Sequence, residues 1–273
     1  REIVTYGQLR NITIVPEIEM PGHSQAALAA YPEYGCTGKT PKVLTYWGVT
    51  DTIFCPYEKT FTFLEDILSE VMTLFPSEFI HIGGDEAPKK HWEQSAFCQN
   101  LIKKENLKDE HELQSYFIRR IDKFLTANGR RLIGWDEILE GGLAPGASVM
   151  SWRGEEGGIA AANAGHDVVL TPGFVMYFDH YQGDPKKEPL AIGGFSDLKK
   201  VFQYNPMPDS IKEDKKHHVI GVQANVWTEY MKSFEHVEYM VNPRILALSE
   251  IAWVNPDRKD WKNFAKRLPH NLM

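Results

Sequence analysis

Apolar residues along the chain fall into two alternating patterns. Short, nearly continuous apolar runs occupy 12–17, 78–83, 131–135, 147–152, 167–171 and 219–226, and runs of this length predict buried strands. Between them apolar positions recur at helical spacing. Phe61, Leu64, Leu68, Val71 and Phe75 share one face, with Pro76 as the stop. Leu113, Tyr116, Phe117, Ile121, Phe124 and Leu125 share another, closed by Asn128-Gly129. An Ala-rich stretch at 155–166 predicts a small helix, and 236–253 predicts one continuous helix. Residues 1–11 read as the tail of a helix already under way in a longer protein, and 172–218 as a long loop.

Strands alternating with helices predict a parallel sheet covered by helices. The positions just past the strands narrow this further. Glu17 and Glu19, Asp85-Glu86, Trp135-Asp136-Glu137, Trp152-Arg153, Tyr177 and Asp179, and Trp227-Thr228-Glu229 each follow a different run. A doubly wound sheet concentrates chemistry at one switch point. A (β/α)8 barrel carries it at the C-terminal ends of many strands, so a barrel is expected.

Composition changes the picture by exclusion. The 273 residues carry a net charge of -7, which argues against a nucleic-acid partner. No apolar run is long enough to span a bilayer. Cys36, Cys55 and Cys98 lack metal-type spacing, which argues against zinc. They are expected as buried or free thiols, with a Cys36–Cys55 bridge closing one loop as the alternative. No dinucleotide motif is present, and no cofactor or metal is expected.

The Asp85-Glu86 pair carries the sharpest chemical signal. Consecutive strand residues point apart, so the pair is poorly placed to bracket a glycosidic bond from opposite faces, as most two-carboxylate glycosidases do. The two carboxyls suit different tasks on one side of a substrate, one as general acid and one as a holder of a substrate group. Gly83-Gly84 lets a ligand approach and the backbone turn. The bland alternative is an acidic first turn of the following helix. Aromatics beside carboxylates or arginine after four other strands, with His23 behind Pro21-Gly22, favour a sugar site.

Together "IVPEIEMPGHSQAALAAYPE", "FIHIGGDE", "GWDEI", "SWRG", "YFDHYQ" and "GVQANVWTE" resemble the catalytic domain of the β-N-acetylhexosaminidases, glycoside hydrolase family 20. The resemblance implies a (β/α)8 TIM barrel whose strands three to eight are present, so residues 1–273 form one barrel domain truncated at its N-terminus. It implies retaining hydrolysis of terminal β-linked N-acetylhexosamine in which the substrate's 2-acetamido oxygen is the nucleophile. Glu86 would be the acid and then the base, and Asp85 would orient the acetamido group. Trp135, Trp152 and Trp227 would line the sugar pocket, and Tyr177 would bind the acetamido oxygen. Asp179 and Glu229 would bind sugar hydroxyls, and His23 would tune the acid. Partners would be N-acetylhexosamine-terminated glycans, and the location extracytoplasmic.

The chain departs from the family pattern in four places. The two strands that supply a sugar-gripping Arg and the Asp partner of the histidine do not precede "PEIEMPGH". Glu19 stands where Asp is more frequent, Ala87 where Cys is frequent, and "KRLPHNLM" stops short of the last turns. Two rivals stay open: a glycosidase with Glu137 or Glu229 as nucleophile, and a catalytically silent sugar-binding barrel.

Overall fold

The computed structural model describes residues 1–271. The chain divides into two units, Arg1–Val149 and Met150–Met273. The first holds α1 (Glu2–Gln8), α2 (Gln25–Ala30), α3 (Glu58–Leu74), β1 (Phe79–His81), α4 (Lys90–Glu93), α5 (Ala96–Lys104), α6 (Glu110–Ala127) and β2 (Arg131–Trp135). Strand β3 (Ser148–Ser151) crosses the boundary. The second holds α7 (Glu156–Ala164), β4 (Val168–Leu170), α8 (Gly173–Met176), α9 (Leu198–Gln203), β5 (Val219–Val222), α10 (Phe234–Val241), α11 (Arg244–Trp253) and α12 (Trp261–Asn271).

In the first unit β1 and β2 pair in parallel, with Ile80 opposite Leu132 and His81 opposite Ile133. The helical faces read from the sequence form the packing. Phe61, Leu64 and Leu68 of α3 are buried, as are Leu113, Phe117, Ile121 and Leu125 of α6. Phe61 and Phe117 meet with ring centroids 4.9 Å apart, and each buried aromatic of this kind contributes roughly 1.5–3 kcal/mol. Helix α6 starts where Asp109 accepts from the His111 and Glu112 amides. It stops at Asn128, with Gly129 in the left-handed region that suits glycine.

In the second unit β4 and β5 pair in parallel, with a register shift between Val168 and Val169. The Thr171 amide donates to the Ser151 carbonyl at 3.0 Å. Val175, Met176, Phe178, Val201, Phe202, Ala247, Ile251 and Phe264 form its apolar core.

Four expectations need correction. Residues 12–17 form no regular strand: Ile12 and Val15 are exposed, and only a parallel bridge between Glu17 and His81 remains. The Pro16 carbonyl accepts from the His81 amide, but Pro16 has no N–H to continue the ladder toward Phe79. The helix expected over 236–253 is two helices, α10 and α11, because Pro243 interrupts the amide ladder. The loop expected over 172–218 contains α8, α9 and a 3-10 turn at Glu213–His218, elements too short to show a helical period. Finally, Cys36 and Cys55 are joined in a disulfide and only Cys98 is a free, buried thiol. The pairing is set by an antiparallel bridge between Gly35 and Phe54, which brings the two cysteines side by side.

Candidate active site

In the first unit the chain leaves β1 through Gly83 and Gly84, both at positive φ, and Glu86 itself has φ 42°. His23, after Pro21-Gly22, has φ 48°. Non-glycine residues in this region carry backbone strain that the surroundings must hold. Here the surroundings are tight. A Cβ on Gly83 would collide with the Glu19 carboxyl group, and one on Gly22 would lie 2.7 Å from the Asp85 carbonyl oxygen. The Asp85-Glu86 turn is braced from α6 as well. Gln114 donates to the Gly84 carbonyl at 2.7 Å, while Lys89 donates both to the Ala87 carbonyl and to Gln114 Oε1. Burial pushes the Lys89 ammonium down to about 8.

The brace presents two carboxylates to one imidazole. His23 Nε2 lies 3.3 Å from Asp85 Oδ2 and 3.4 Å from Glu86 Oε2. The hydrogen bond to Asp85 raises the His23 pKa, partial burial opposes this, and the charges of Asp85 and Glu86 add to the rise. The rise favours the cationic form of the imidazole that the two acids share. The three side chains also form a group of metal-ligand type, but a histidine held toward its cationic form is the poorer donor to a metal.

A second set of polar side chains adjoins this group. The Trp135 indole N–H donates to Glu17 Oε1 at 2.9 Å. The same oxygen lies 3.1 Å from His81 Nδ1, and the Gly83 amide nitrogen lies 3.0 Å from that ring nitrogen. The Trp135 ring stands edge-on to His81, centroids 4.8 Å apart. Burial, then the Asp85 charge and the hydrogen bond with Glu17, push the Glu19 carboxyl up to about 11. Glu19 is therefore a neutral acid wedged among carboxylates, which limits the repulsion that three adjacent anions would suffer.

The second unit gathers the other expected residues. The rings of Trp152 and Tyr177 stack with centroids 6.2 Å apart. Tyr177 pairs in parallel with Asn225, and the Asn225 side chain accepts from Thr171 Oγ1 at 3.0 Å. Asp179 is 4% exposed and its Oδ1 is buried without a hydrogen-bond partner. Burial pushes its carboxyl up to about 6; its own backbone amide opposes that, and the Glu229 charge adds to it. Trp227 and Glu229 follow β5 on the exposed surface.

Sequence reading missed Arg244. It is fully buried and donates to the carbonyls of Phe178, His180, Ser196 and Met240. It thereby clamps the backbone on both sides of Asp179. Lys89, Gln114 and His81 were missed as well. Each acts through contacts distant in sequence, and only the place of His81 inside "FIHIGG" offered a signal. Glu137, one candidate nucleophile of the rival reading, is 8% exposed.

Parallel strand–helix units with acids and aromatics past the strand ends define the class: a domain of the (β/α)8 barrel type, with five strands among the described residues. The sequence matches the glycosyl hydrolase family 20 catalytic domain over residues 1–256, and the chain belongs to that family. It is 52% identical to a beta-hexosaminidase of Porphyromonas gingivalis over 270 residues, 98% of this chain and 35% of that protein. The structure of a Flavobacterium johnsoniae chitobiase aligns with a TM-score of 0.85 at 34% identity, over 98% of this chain and 40% of that one. A Vibrio harveyi exo beta-N-acetylglucosaminidase in complex with N-acetylglucosamine aligns with a TM-score of 0.86 at 29% identity, over 99% of this chain and 43% of that one. The chain thus spans less than half the length of each of these relatives.

Proposed function

We propose that the protein is a β-N-acetylhexosaminidase that removes terminal, non-reducing β-linked N-acetylhexosamine with retention of configuration. The observation that carries this is the single imidazole nitrogen touching both Asp85 and Glu86. Two carboxylates gathered on one histidine stand together, whereas an acid and an enzymic nucleophile flank the bond they cleave. The nucleophile then comes from the substrate. Its 2-acetamido oxygen attacks the anomeric carbon while Glu86 gives its proton to the departing glycosidic oxygen. The resulting oxazolinium-type ring is opened by water, whose proton returns to Glu86.

In this reading Asp85 accepts the acetamido N–H and offsets the positive charge that develops on its nitrogen. His23 positions the pair. Tyr177 donates to the acetamido oxygen, and Trp135, Trp152 and Trp227 pack against the methyl group and the sugar ring. The unpartnered Asp179 Oδ1 supports a role in accepting a sugar hydroxyl, with Glu229 as a second acceptor. No helix among the described residues is long and apolar enough to cross a membrane. The Cys36–Cys55 disulfide supports an oxidising, extracytoplasmic location.

The test compares an aryl N-acetylglucosaminide with the matching plain glucoside, with a thiazoline mimic of the cyclised intermediate as inhibitor. Fast turnover of the first substrate only, with strong inhibition, is expected. Comparable turnover of both, or covalent labelling of Glu137 or Glu229 by a fluorosugar, would overturn the proposal.

A further inference from the structure

In the second unit the chain folds back on itself just after Tyr177. The His180 amide donates to the Tyr177 carbonyl at 3.3 Å across a four-residue turn. The turn brings the His180 ring to the Tyr177 ring, with centroids 5.5 Å apart and planes tilted by 43°. Spacing and tilt of this kind belong to aromatic rings in favourable contact. Arg244 locks the turn, donating to the Phe178 carbonyl at 2.6 Å and to the His180 carbonyl at 3.0 Å. Tyr177 is only partly buried, so its ring depends on such neighbours for a fixed position.

The imidazole has little room to leave this place. A Cβ on Gly194 would lie 2.4 Å from His180 Nδ1, and Gly194 has φ 62°. The backbone thus closes against the ring at an approach, and in a conformation, that suit glycine. Nδ1 is buried and has no hydrogen-bond partner, so no bond from that atom holds the ring; the surrounding backbone does. Burial, and then the charges of Arg244 and Lys200, keep the His180 pKa below the ordinary histidine value. The ring therefore packs as a neutral body.

We propose that His180 is a positioning residue for Tyr177: with Trp152, whose ring stacks on the same phenol, it fixes the hydroxyl that donates to the acetamido oxygen. The inference rests on the hydrolase reading above and deepens it. It assigns His180 to the substrate's internal attack, and not to protonation of the leaving group by Glu86. A hydroxyl that meets a developing charge is worth most when its direction is set in advance, and a ring held by backbone on one side and by contact with the phenol on the other supplies that.

The test uses the full-length protein with Tyr177→Phe, His180→Ala, His180→Phe and the double variant Tyr177→Phe with His180→Ala. Each is measured on two aryl N-acetylglucosaminides, one with a good and one with a poor leaving group, and with a thiazoline mimic as inhibitor. In His180→Ala kcat/KM should fall about 2- to 10-fold, the worth of one aromatic contact. The factor should be the same on both substrates and in thiazoline affinity. His180→Phe, which keeps a flat ring, should restore most of the loss. In the Tyr177→Phe background His180→Ala should cost nothing further, because the hydroxyl it positions is gone. Losses that add in the double variant, or that grow with the poorer leaving group, overturn the proposal and leave the hydrolase reading standing. So does an unchanged kcat/KM in His180→Ala beside a large loss in Tyr177→Phe. An unchanged kcat/KM in Tyr177→Phe removes the hydroxyl's role and the proposal with it, and a wild type that turns over neither substrate overturns the hydrolase reading itself. Should His180→Ala fail to fold, His180→Leu keeps bulk without a flat ring and enters the same cycle, where additive losses again overturn the proposal.

Discussion

The two units hold their acids in opposite ways. In the first, Asp85 and Glu86 sit partly exposed on a strained turn, share one histidine and neighbour a further acid whose carboxyl is pushed up to about 11. In the second, Asp179 is buried, flanked by backbone that Arg244 clamps through carbonyl groups, with an oxygen left open. Proton transfer needs an acid that reaches the reacting bond and is held in place, which favours a braced, partly open turn with a histidine shared between the two carboxyls. Holding a neutral sugar needs a fixed acceptor, which favours burial and a rigid frame. The difference between the two environments follows the difference between the two tasks.

The comparison breaks most sharply at Glu86. In the full-length protein Glu86→Gln should cut kcat by about 10²–10⁴ on a poor leaving group, the usual worth of general acid catalysis. Aryl glycosides with very good leaving groups should lose much less. Equal losses on both, in steady-state rates, would remove Glu86 from the acid role.

Arg244 tests the other side. Arg244→Met keeps bulk but strips four carbonyls of their donor. The expected destabilisation exceeds about 3 kcal/mol, because buried unsatisfied groups cost about 1–3 kcal/mol each. Denaturant unfolding measures it, and a loss within the ~0.5 kcal/mol of an ordinary surface change would show that the clamp is dispensable.

Glu19 sharpens the account of the acid cluster. Glu19 titrates at about 11 in the folded protein against 4.5 for the ordinary group. Between those values the unfolded chain has lost a proton that the folded chain keeps, so stability falls as pH rises. The slope for one group is at most about 1.4 kcal/mol per pH unit. Glu19→Gln keeps a neutral side chain and removes the titration, so the variant's Tm should gain on the wild type from pH 5 to pH 8. Parallel Tm curves over that range would mean that Glu19 is ionised in the folded state.

The sequence by itself determined the elements whose patterns are local. Phe61, Leu64 and Leu68 repeat at helical spacing because one face must be buried, and they are buried. Asp85-Glu86 stood out as two acids after a glycine pair at a strand end, with an acidic first helical turn as the competing reading, while the stacking of Trp152 on Tyr177 came from the structure. Where local chemistry competed with pattern, the pattern misled: Pro16 and Pro243 each removed an N–H from what periodicity read as a continuous element. Only the tertiary structure decided the rest. That His23 meets both acids from 62 and 63 positions away, that Cys36 pairs with Cys55 while Cys98 stays free, and that Arg244 reaches back to Phe178 depends on which distant segments become neighbours. Burial also shifts acidities only once those neighbours are in place, so the ordinary-looking carboxyls of Glu19 and Asp179 became unusual ones through surroundings that no window of sequence contains.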